Sequence, residues 1–490
     1  MTSHTCPRTT YSATVRRATL VVVCVTTAML MLDIAVVNTA LPSIAVDLDA
    51  GMTSLQWVVD AYTLALATVV LSAGSWADRR GRKHVFVVGI IVFTAASVVC
   101  AIAPDIVTLD VARAIQGLGG AILFACSLAL LADVFAPGKD RAGALAAYGA
   151  TIGGAFALGP LAGGMLTEWL DWRAIFVVNL PIGILALCAT MTWVPESRDP
   201  DFRRLDIGGQ VFASVGLATL VLALLRGNEH GWTDTVTVAS FAIAAVSSAA
   251  FLVVEMRVTQ PMLPLESFRS RAFTGAQIAA FAISVSLFSV FLYTTVYLQS
   301  VLGMSPIEAG LVYLPATAAM FIVAGATAQL GQRVPAWILL SGSLLLVGVG
   351  LAMTTVADVD SSRWTILPGM LVAMIGAGIF NPVMSGLVLD ASAAEHSGLA
   401  AGINDAFRQT GIAVGVAALG ALLPAEAVFS GMDQDAYVAG LDKALWVSAG
   451  LATVGAVVSA LTLRGHRASD NKNPSPPGEL VRSAEGQPRI

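Results

Sequence analysis

The sequence predicts an all-α integral membrane protein, and its composition and its hydropathy both support this fold class. Of the 490 residues, 56% are apolar and 12% are charged, whereas a soluble domain carries about 25% charged residues. The mean hydropathy is +0.78. Apolar stretches of about 20 residues recur along the chain, and each is long enough to cross a bilayer as a helix. The polar segments between them are too short to form a soluble catalytic domain.

Fourteen apolar stretches are predicted to form transmembrane helices. They cover residues 18–41, 54–76, 84–103, 107–132, 141–166, 174–194, 207–226, 235–255, 272–299, 307–330, 336–356, 364–388, 398–423 and 441–463. Residues 1–17 form a polar N-terminal tail. Residues 464–490 form a C-terminal tail rich in Pro, Ser and charged residues, a composition typical of disorder.

The distribution of positive charge predicts that both termini lie in the cytoplasm. Lys and Arg accumulate in the cytoplasmic loops of membrane proteins. With the N-terminus inside, 21 of the 27 fall in cytoplasmic segments, 4 fall outside and 2 fall within predicted helices. An even number of helices returns the C-terminus to the cytoplasmic side of the cell membrane. Only 4 of the 27 are Lys, which together with the many Ala, Gly and Val residues indicates a high-GC bacterium.

The loop between the second and third predicted helices combines glycines, an acid and bases. Its sequence is GSWADRRGRKHVF, residues 74–86. Gly74 and Gly81 permit a tight turn, and Asp78 can meet the start of the third helix or an Arg from a neighbouring loop. Arg79 and Arg82, with two further bases, hold the loop at the cytoplasmic face. The bases alone indicate a membrane anchor, but the whole pattern is more specific.

Three further stretches carry specific patterns within the first half of the chain. They are LDIAVVNTALP at 32–42, RAIQGLGGA at 113–121 and GGAFALGPLAGG at 153–164. Together with the loop at 74–86, they resemble the motifs of the major facilitator superfamily, and in particular of its fourteen-helix drug:proton antiporter branch. The resemblance covers almost the whole chain, from about residue 18 to residue 463.

The resemblance implies a major facilitator fold with 14 transmembrane helices arranged 6+2+6. One six-helix bundle would occupy residues 18–194 and the other residues 272–463, with two extra helices in the linker region 195–271. It implies a monomeric transporter that handles a small-molecule substrate and protons within the lipid bilayer. It also implies that the loop at 74–86, with Gly74, Asp78, Arg79, Gly81 and Arg82, gates the transport cycle.

The stretch at 153–164 has two interpretations that its residues leave open. Pro160 removes a backbone hydrogen bond and kinks the helix, and the glycines let neighbouring helices approach closely. These features suit static helix packing and a moving seam between helices equally well. The resemblance favours the moving seam, because the motif formed by Gly153, Gly159, Pro160, Gly163 and Gly164 is associated with antiporters.

Three charged residues lie inside predicted helices at similar heights. An ionisable group near the bilayer centre costs about 2.5–3.5 kcal/mol on insertion scales, so such groups normally face a cavity or a partner. Asp33, Asp60 and Arg113 lie about 13, 10 and 9 Å from the outer ends of their helices at ~1.5 Å per residue. We therefore expect one cluster with a net charge of −1, able to hold one proton or one cationic group.

The resemblance assigns a role in proton coupling to Asp33 and Arg113, which match motif positions, and Asp60 stands where some members of the branch carry an acid. The alternative for Asp33 and Arg113 is a static ion pair that only positions helices. Asp60 could instead lie near the lipid headgroups.

Other polar residues within the predicted helices are candidates to line a substrate pocket. They are Asn38, Gln56, Tyr62 and Gln116. Asp405 and Arg408 are three residues apart in the thirteenth helix, so they share a face and can neutralise each other. For this pair we prefer a structural role over a functional one.

These observations favour export of drugs, antibiotics or other amphipathic or cationic toxic compounds in exchange for protons. A proton symporter that imports a metabolite on the same fold is the alternative. A membrane-embedded enzyme or sensor is disfavoured, since the five His residues fall in tails, loops or helix ends, and no Cys spacing suggests a metal site. We expect no catalytic residue, no cofactor and no nucleic-acid partner. No nucleotide is expected either, because GLGG in helix 4 is not followed by GK[ST].

Overall fold

The computed structural model describes residues 11–135, 139–198, 206–330, 334–390, 397–424 and 433–464. These residues form fourteen long helices and no strand. The helices are α1 Ala13–Asp47, α2 Met52–Arg80, α3 Arg82–Ala101, α4 Ile106–Val134, α5 Lys139–Trp169, α6 Ala174–Trp193, α7 Ile207–His230, α8 Thr235–Arg257, α9 Arg271–Val301, α10 Pro306–Leu330, α11 Ala336–Thr354, α12 Leu367–Asp390, α13 Ser397–Gly420 and α14 Gln434–Leu463. Each predicted stretch overlaps one helix. The predicted C-terminal tail lies outside the described residues, apart from Arg464.

Several helices extend beyond their apolar stretches because polar residues cap their ends. Ser12 caps α1, and its Oγ accepts a hydrogen bond from the Val15 amide at 3.3 Å. Asp105 caps α4 in the same way, accepting from the Thr108 amide at 2.8 Å. Its pKa is lowered from the usual value, mainly because that amide stabilises the ionised carboxylate. Between α2 and α3 the chain turns at Gly81, whose φ of 111° suits glycine.

Thirteen of the fourteen helices are long and apolar enough to cross a membrane. The exception is α13, in which Asn404, Asp405, Arg408 and Gln409 interrupt the apolar sequence. Helix α9 contains two π-helical turns, at Ser284–Phe288 and Tyr297–Val301. Turns of this kind frequently mark functional sites within helices.

The helices pack as two groups of six with a hairpin beside them. Helices α1–α6 form the N-terminal group and α9–α14 form the C-terminal group. The groups meet along two seams, one between α2 and α13 and the other between α5 and α10. The hairpin of α7 and α8 lies against the α2–α13 seam, where Gln210 Nε2 donates to the Thr68 carbonyl at 3.0 Å. Asn228 Nδ2 donates to the Gly420 carbonyl at 3.3 Å, so α7 contacts both groups.

We call the side of the molecule that carries Arg79, Arg80, Arg82 and Lys83 the basic side. The two groups are in close contact on the opposite side. On the opposite side, hydrogen bonds connect the groups: Gln56 Nε2 to Tyr293 Oη at 2.9 Å, Gln299 Nε2 to the Thr39 carbonyl at 2.8 Å and the Ile307 amide to Glu168 Oε2 at 3.0 Å.

The α5–α10 seam widens toward the basic side. Near the opposite side the backbones touch, since a Cβ on Gly310 would lie 2.6 Å from the Pro160 carbonyl oxygen. Near the basic side, Gly149 and Gly325 have open space where a Cβ would stand. The groups therefore diverge along this seam from the opposite side toward the basic side.

Candidate functional site

Asp33 of α1 and Arg113 of α4 form a buried ion pair. Arg113 Nη1 lies 2.6 Å from Asp33 Oδ2, and the side chains are 2% and 0% exposed. Breaking a buried pair by removing one partner costs about 3–5 kcal/mol, because it leaves an uncompensated charge. The structure thus joins two of the three predicted intramembrane charges.

Neutral polar groups complete the shell around Asp33. Its Oδ1 accepts from Gln116 Nε2 at 2.8 Å and from Asn179 Nδ2 at 2.9 Å. Ser97 Oγ accepts from the same two amides at 2.8 and 3.3 Å. The network therefore links α1, α3, α4 and α6. Sequence reasoning missed Ser97 and Asn179, whose signal was only that each is a polar residue inside an apolar stretch.

Arg113 has several partners besides Asp33. Its Nε donates to the Val58 carbonyl at 3.2 Å, and its Nη1 also donates to Gln116 Oε1 at 2.7 Å. The ring of Tyr62 covers the guanidinium, with 4.3 Å between Cζ and the ring centre. Gln116 and Tyr62, predicted as pocket residues, thus belong to the surroundings of the ion pair.

Asp60 does not join this pair, which corrects the expected three-residue cluster. The residue is 0% exposed, and neither carboxylate oxygen has a hydrogen-bond partner within the described residues. One turn earlier, Gln56 reaches Tyr293 of α9, and one turn later Leu64 packs against α13. Asp60 therefore faces the seam with the C-terminal group. Equal height gave no information about the direction of its side chain around α2.

Two further pocket candidates have local roles in this structure. Asn38 is half-buried, and its Nδ2 donates to the Ile34 carbonyl of its own helix at 3.1 Å. Gln56 is buried in the contact with Tyr293, so it connects the two groups of helices.

Asp405 and Arg408 of α13 interact electrostatically, as expected for residues three apart on one helix face, but they form no ion pair within 4 Å. The guanidinium of Arg408 lies 5.7 Å from the ring centre of Phe288 in the π-helical turn of α9. Asp405 is 7% exposed and lies close enough to Tyr62 and Tyr148 of the N-terminal group to interact with them electrostatically.

Residues 74–86 form the end of α2, a turn at Gly81 and the start of α3, so the predicted loop is a single residue and Gly74 lies inside α2 instead of permitting a turn. Charge contacts within the N-terminal group hold this segment. Asp78 Oδ1 accepts from Arg82 Nη2 at 2.9 Å and from its Nε at 3.0 Å, so the predicted contact with the start of α3 is present. Arg82 Nη1 also lies 3.9 Å from Asp133 of α4. Glu196 Oε1 accepts from the Lys83 amide at 3.1 Å. The sequence did not indicate Asp133 or Glu196 as parts of this loop's environment.

The glycines of the motif at 153–164 face two different neighbours. Gly159 and Gly163 lie against α1, where a Cβ would meet Ala35 and Thr39 respectively. Gly164 lies against the Pro306 carbonyl, and Gly153 lies beside Phe321, both in the C-terminal group. Helix α5 thus packs against α1 of its own group through one face. Through a second face, near Pro160, it lies on the α5–α10 seam.

The sequence matches the Major Facilitator Superfamily over residues 23–416. The chain belongs to this superfamily. Within it, the chain is 35% identical over 397 residues to the multidrug resistance protein Stp of Mycobacterium tuberculosis, covering 81% of this chain and 74% of Stp. It is 37% identical over 408 residues to the puromycin resistance protein pur8 of Streptomyces alboniger, covering 82% of this chain and 80% of pur8.

The fold also matches solved structures. A peptide transporter POT in complex with sulfate aligns with a TM-score of 0.64 and 18% identity, covering 91% of this chain and 96% of that chain. At this identity the likeness concerns the fold alone. Superfamily membership and the apolar helices identify the chain as a multi-pass membrane transporter rather than an enzyme.

Proposed function

We propose that this transporter exports drugs, antibiotics or other amphipathic toxic compounds, including cations, across the cytoplasmic membrane in exchange for protons. The observation that carries the proposal is the buried Asp33–Arg113 pair at the junction of four helices. The names of the relatives, a multidrug and a puromycin resistance protein, support the class of substrate. A proton symporter that imports a metabolite is the alternative.

In this proposal all fourteen helices span the membrane in a 6+2+6 arrangement, and α13 is one of them. Its polar residues face the middle of the molecule, so they need not contact lipid. The basic side and both termini lie in the cytoplasm in this proposal, and the accumulation of positive charge supports this orientation. The monomer is the working unit, and the proton gradient drives transport without a cofactor. The host is a high-GC bacterium.

With this orientation the structure corresponds to a state closed toward the outside. Gln56–Tyr293 and Glu168–Ile307 link the groups on the outer side, whereas α5 and α10 diverge toward the cytoplasm. A substrate in the cytoplasm or the inner leaflet would enter this state. Export then requires that the outer contacts break while the inner ends close.

The ion pair offers a physical basis for coupling. A proton on Asp33 would remove the negative charge that holds Arg113, and an unpaired buried guanidinium is costly. Protonation must therefore be accompanied by movement of Arg113 or by arrival of another partner. Tyr62 covers Arg113 on one side and interacts electrostatically with Asp405, so it connects the pair with the C-terminal group. Asp60, in the outer part of the α2–α13 seam, is the second proton-coupling residue in this proposal.

The direction of proton movement tests the proposal. Purified protein is reconstituted in liposomes that contain a pH-sensitive dye, and a substrate gradient is imposed without a pH gradient. An antiporter moves protons against the substrate, and a symporter moves them with it. Proton movement in the direction of the substrate would overturn the antiport proposal and favour the symporter. No proton movement during substrate flux would overturn both.

A further inference from the structure

Arg408 is a cation with no carboxylate within ion-pair distance among the described residues, although Asp405 interacts with it electrostatically from farther away. It is half-buried on α13, forms no ion pair with Asp405, and donates no hydrogen bond to a described residue. Its contact is the face of Phe288. Arg113 is the matched comparison, because it is satisfied by a carboxylate, an amide and a carbonyl. A guanidinium with five donors and no acceptor in a protein interior is suited to an external acceptor.

Buried polar atoms without partners surround the same region. They are Tyr62 Oη, Tyr148 Oη, Asp405 Oδ2 and Gln409 Oε1, on residues that are 1%, 5%, 7% and 6% exposed. They come from α2, α5 and α13, and Asp405 interacts electrostatically with both tyrosines. Buried polar groups in native proteins are almost always hydrogen-bonded. Their convergence from both groups of helices indicates a polar ligand.

Aromatic rings pack edge to face beside Arg408. Phe156 of α5 stands edge-on to Phe288, with 5.3 Å between ring centres. Phe156 also meets Phe291 at 6.0 Å, and Phe291 packs on Tyr313 at 4.9 Å. An aromatic ligand can pack edge to face or stacked on one of these rings while its oxygen reaches the guanidinium.

We propose that this cluster, formed by Arg408, Asp405, Tyr62, Tyr148, Phe156 and Phe288, binds planar aromatic substrates that carry an acidic oxygen, such as a carboxylate or an ionised phenol. Arg408 and the tyrosine hydroxyls donate to the acidic oxygen, and Asp405 accepts from a hydroxyl or amine on the same ligand. The inference rests on the proposed export function and differs from a pocket selective for cations. The charge of the Asp33–Arg113 pair is internally balanced and Asp60 lies in the seam, so the charges of this cluster are those of Arg408 and Asp405.

Equilibrium binding to the full chain in nanodiscs, without any proton gradient, tests the inference. The probes are anthraquinone-2-carboxylate, its uncharged carboxamide, and an anthraquinone with a trimethylammonium group. Arg408→Gln is expected to weaken binding of the carboxylate about tenfold or more, since a charge-assisted hydrogen bond is lost. Carboxamide binding should change less than threefold, and Arg408→Lys should retain part of the carboxylate affinity. The control is Arg363→Gln, an exposed arginine paired with Glu308, which should change nothing.

Equal losses for all three probes, or an unchanged carboxylate affinity, would overturn the inference. Asp405→Asn provides a second variant if Arg408→Gln does not fold. It removes a negative charge near the bound acid, so it should tighten carboxylate binding, and weaker binding would contradict the site. Since binding is measured without a gradient, failure of proton-coupled transport would refute the proposed function while leaving this result intact.

Discussion

Gly163 and Gly164 are neighbours in α5 but face different groups of helices. A Cβ on Gly163 would lie 2.8 Å from the Val36 carbonyl oxygen of α1, within the N-terminal group. A Cβ on Gly164 would meet the Pro306 carbonyl oxygen at the start of α10, in the C-terminal group. The glycine-rich motif therefore suits both interpretations at adjacent residues. Gly163 is in a position for static packing, and Gly164 is in a position where the two groups can move apart.

This arrangement predicts different effects for two alanine substitutions. Gly163→Ala should destabilise the protein by about 1–3 kcal/mol, because the contact with α1 lies inside one group and cannot open. Gly164→Ala should instead favour separation of the groups on the outer side, where the clash can be relieved. The measurements are the thermal unfolding midpoint and spin-label distances across the α5–α10 seam. A lowered midpoint with unchanged distances in both variants would show that the motif only packs helices.

The second prediction concerns the charge balance of Asp33 and Arg113. Asp33→Asn should abolish proton-driven export and also lower stability by about 3–5 kcal/mol, because Arg113 then lacks a counter-charge. The double variant Asp33→Asn/Arg113→Gln should regain stability without regaining export. Thermal unfolding and proton-driven transport are measured on the same preparations at equal expression. If the double variant exports at the parental rate, the pair has no role in proton coupling and only links helices.

The third prediction concerns the loop between α2 and α3. Asp78→Ala removes the acceptor of Arg82, which then has Asp133 at 3.9 Å as its nearest carboxylate. The loop lies on the basic side, far from Asp33, so substrate affinity should be retained while the maximal transport rate falls several-fold. Arg80→Ala, at an exposed position in the same loop, is the control and should transport normally. Loss of affinity at an unchanged maximal rate would contradict a gating role.

The sequence predicted the depth of the charged residues along their helices better than the direction in which their side chains point. Counting residues from the helix ends placed Asp33, Asp60 and Arg113 at one level, and two of them do pair. Whether a side chain points toward α4 or toward α9 depends on the rotation of each helix in the packed molecule, which a single sequence does not contain. The same limit explains why Asp405 and Arg408, three residues apart, point to different neighbours.

The neutral members of the site were harder to find than the charged ones. An acid in an apolar stretch is conspicuous because its burial is costly. Ser97 and Asn179 carry no charge, and Ser and Asn occur in many transmembrane helices as packing residues. Only the packed structure shows that Asn179 donates to the Asp33 carboxylate, and that Ser97 accepts from Asn179 and from Gln116, the other amide on that carboxylate.

The last prediction concerns Asp60 and the charge of the substrate. From the sequence, a pocket shared by Asp60, Asp33 and Arg113 predicts that Asp60→Asn reduces export of cations far more than export of neutral compounds. In the structure Asp60 is sealed in the seam, between the turn of α2 that contacts Tyr293 and the turn that packs on α13. A charge there would be unpaired and costly, so we expect the carboxyl group to act on closure of the seam rather than on the substrate.

Asp60→Asn is therefore expected to slow export of a cationic and a neutral substrate by the same factor, within about threefold. An amide cannot ionise, so it should also hold the outer side closed, as seen in shorter spin-label distances between α2 and α9 when the external pH is raised. Tyr293→Phe is the paired variant. It removes the acceptor of Gln56 and also the donor to the Val416 carbonyl within the C-terminal group. Loss of the bond to Gln56, worth about 1 kcal/mol or less than a tenfold shift, should open the same side. A loss of cation export more than tenfold greater than the loss of neutral export would place Asp60 in the substrate pocket after all.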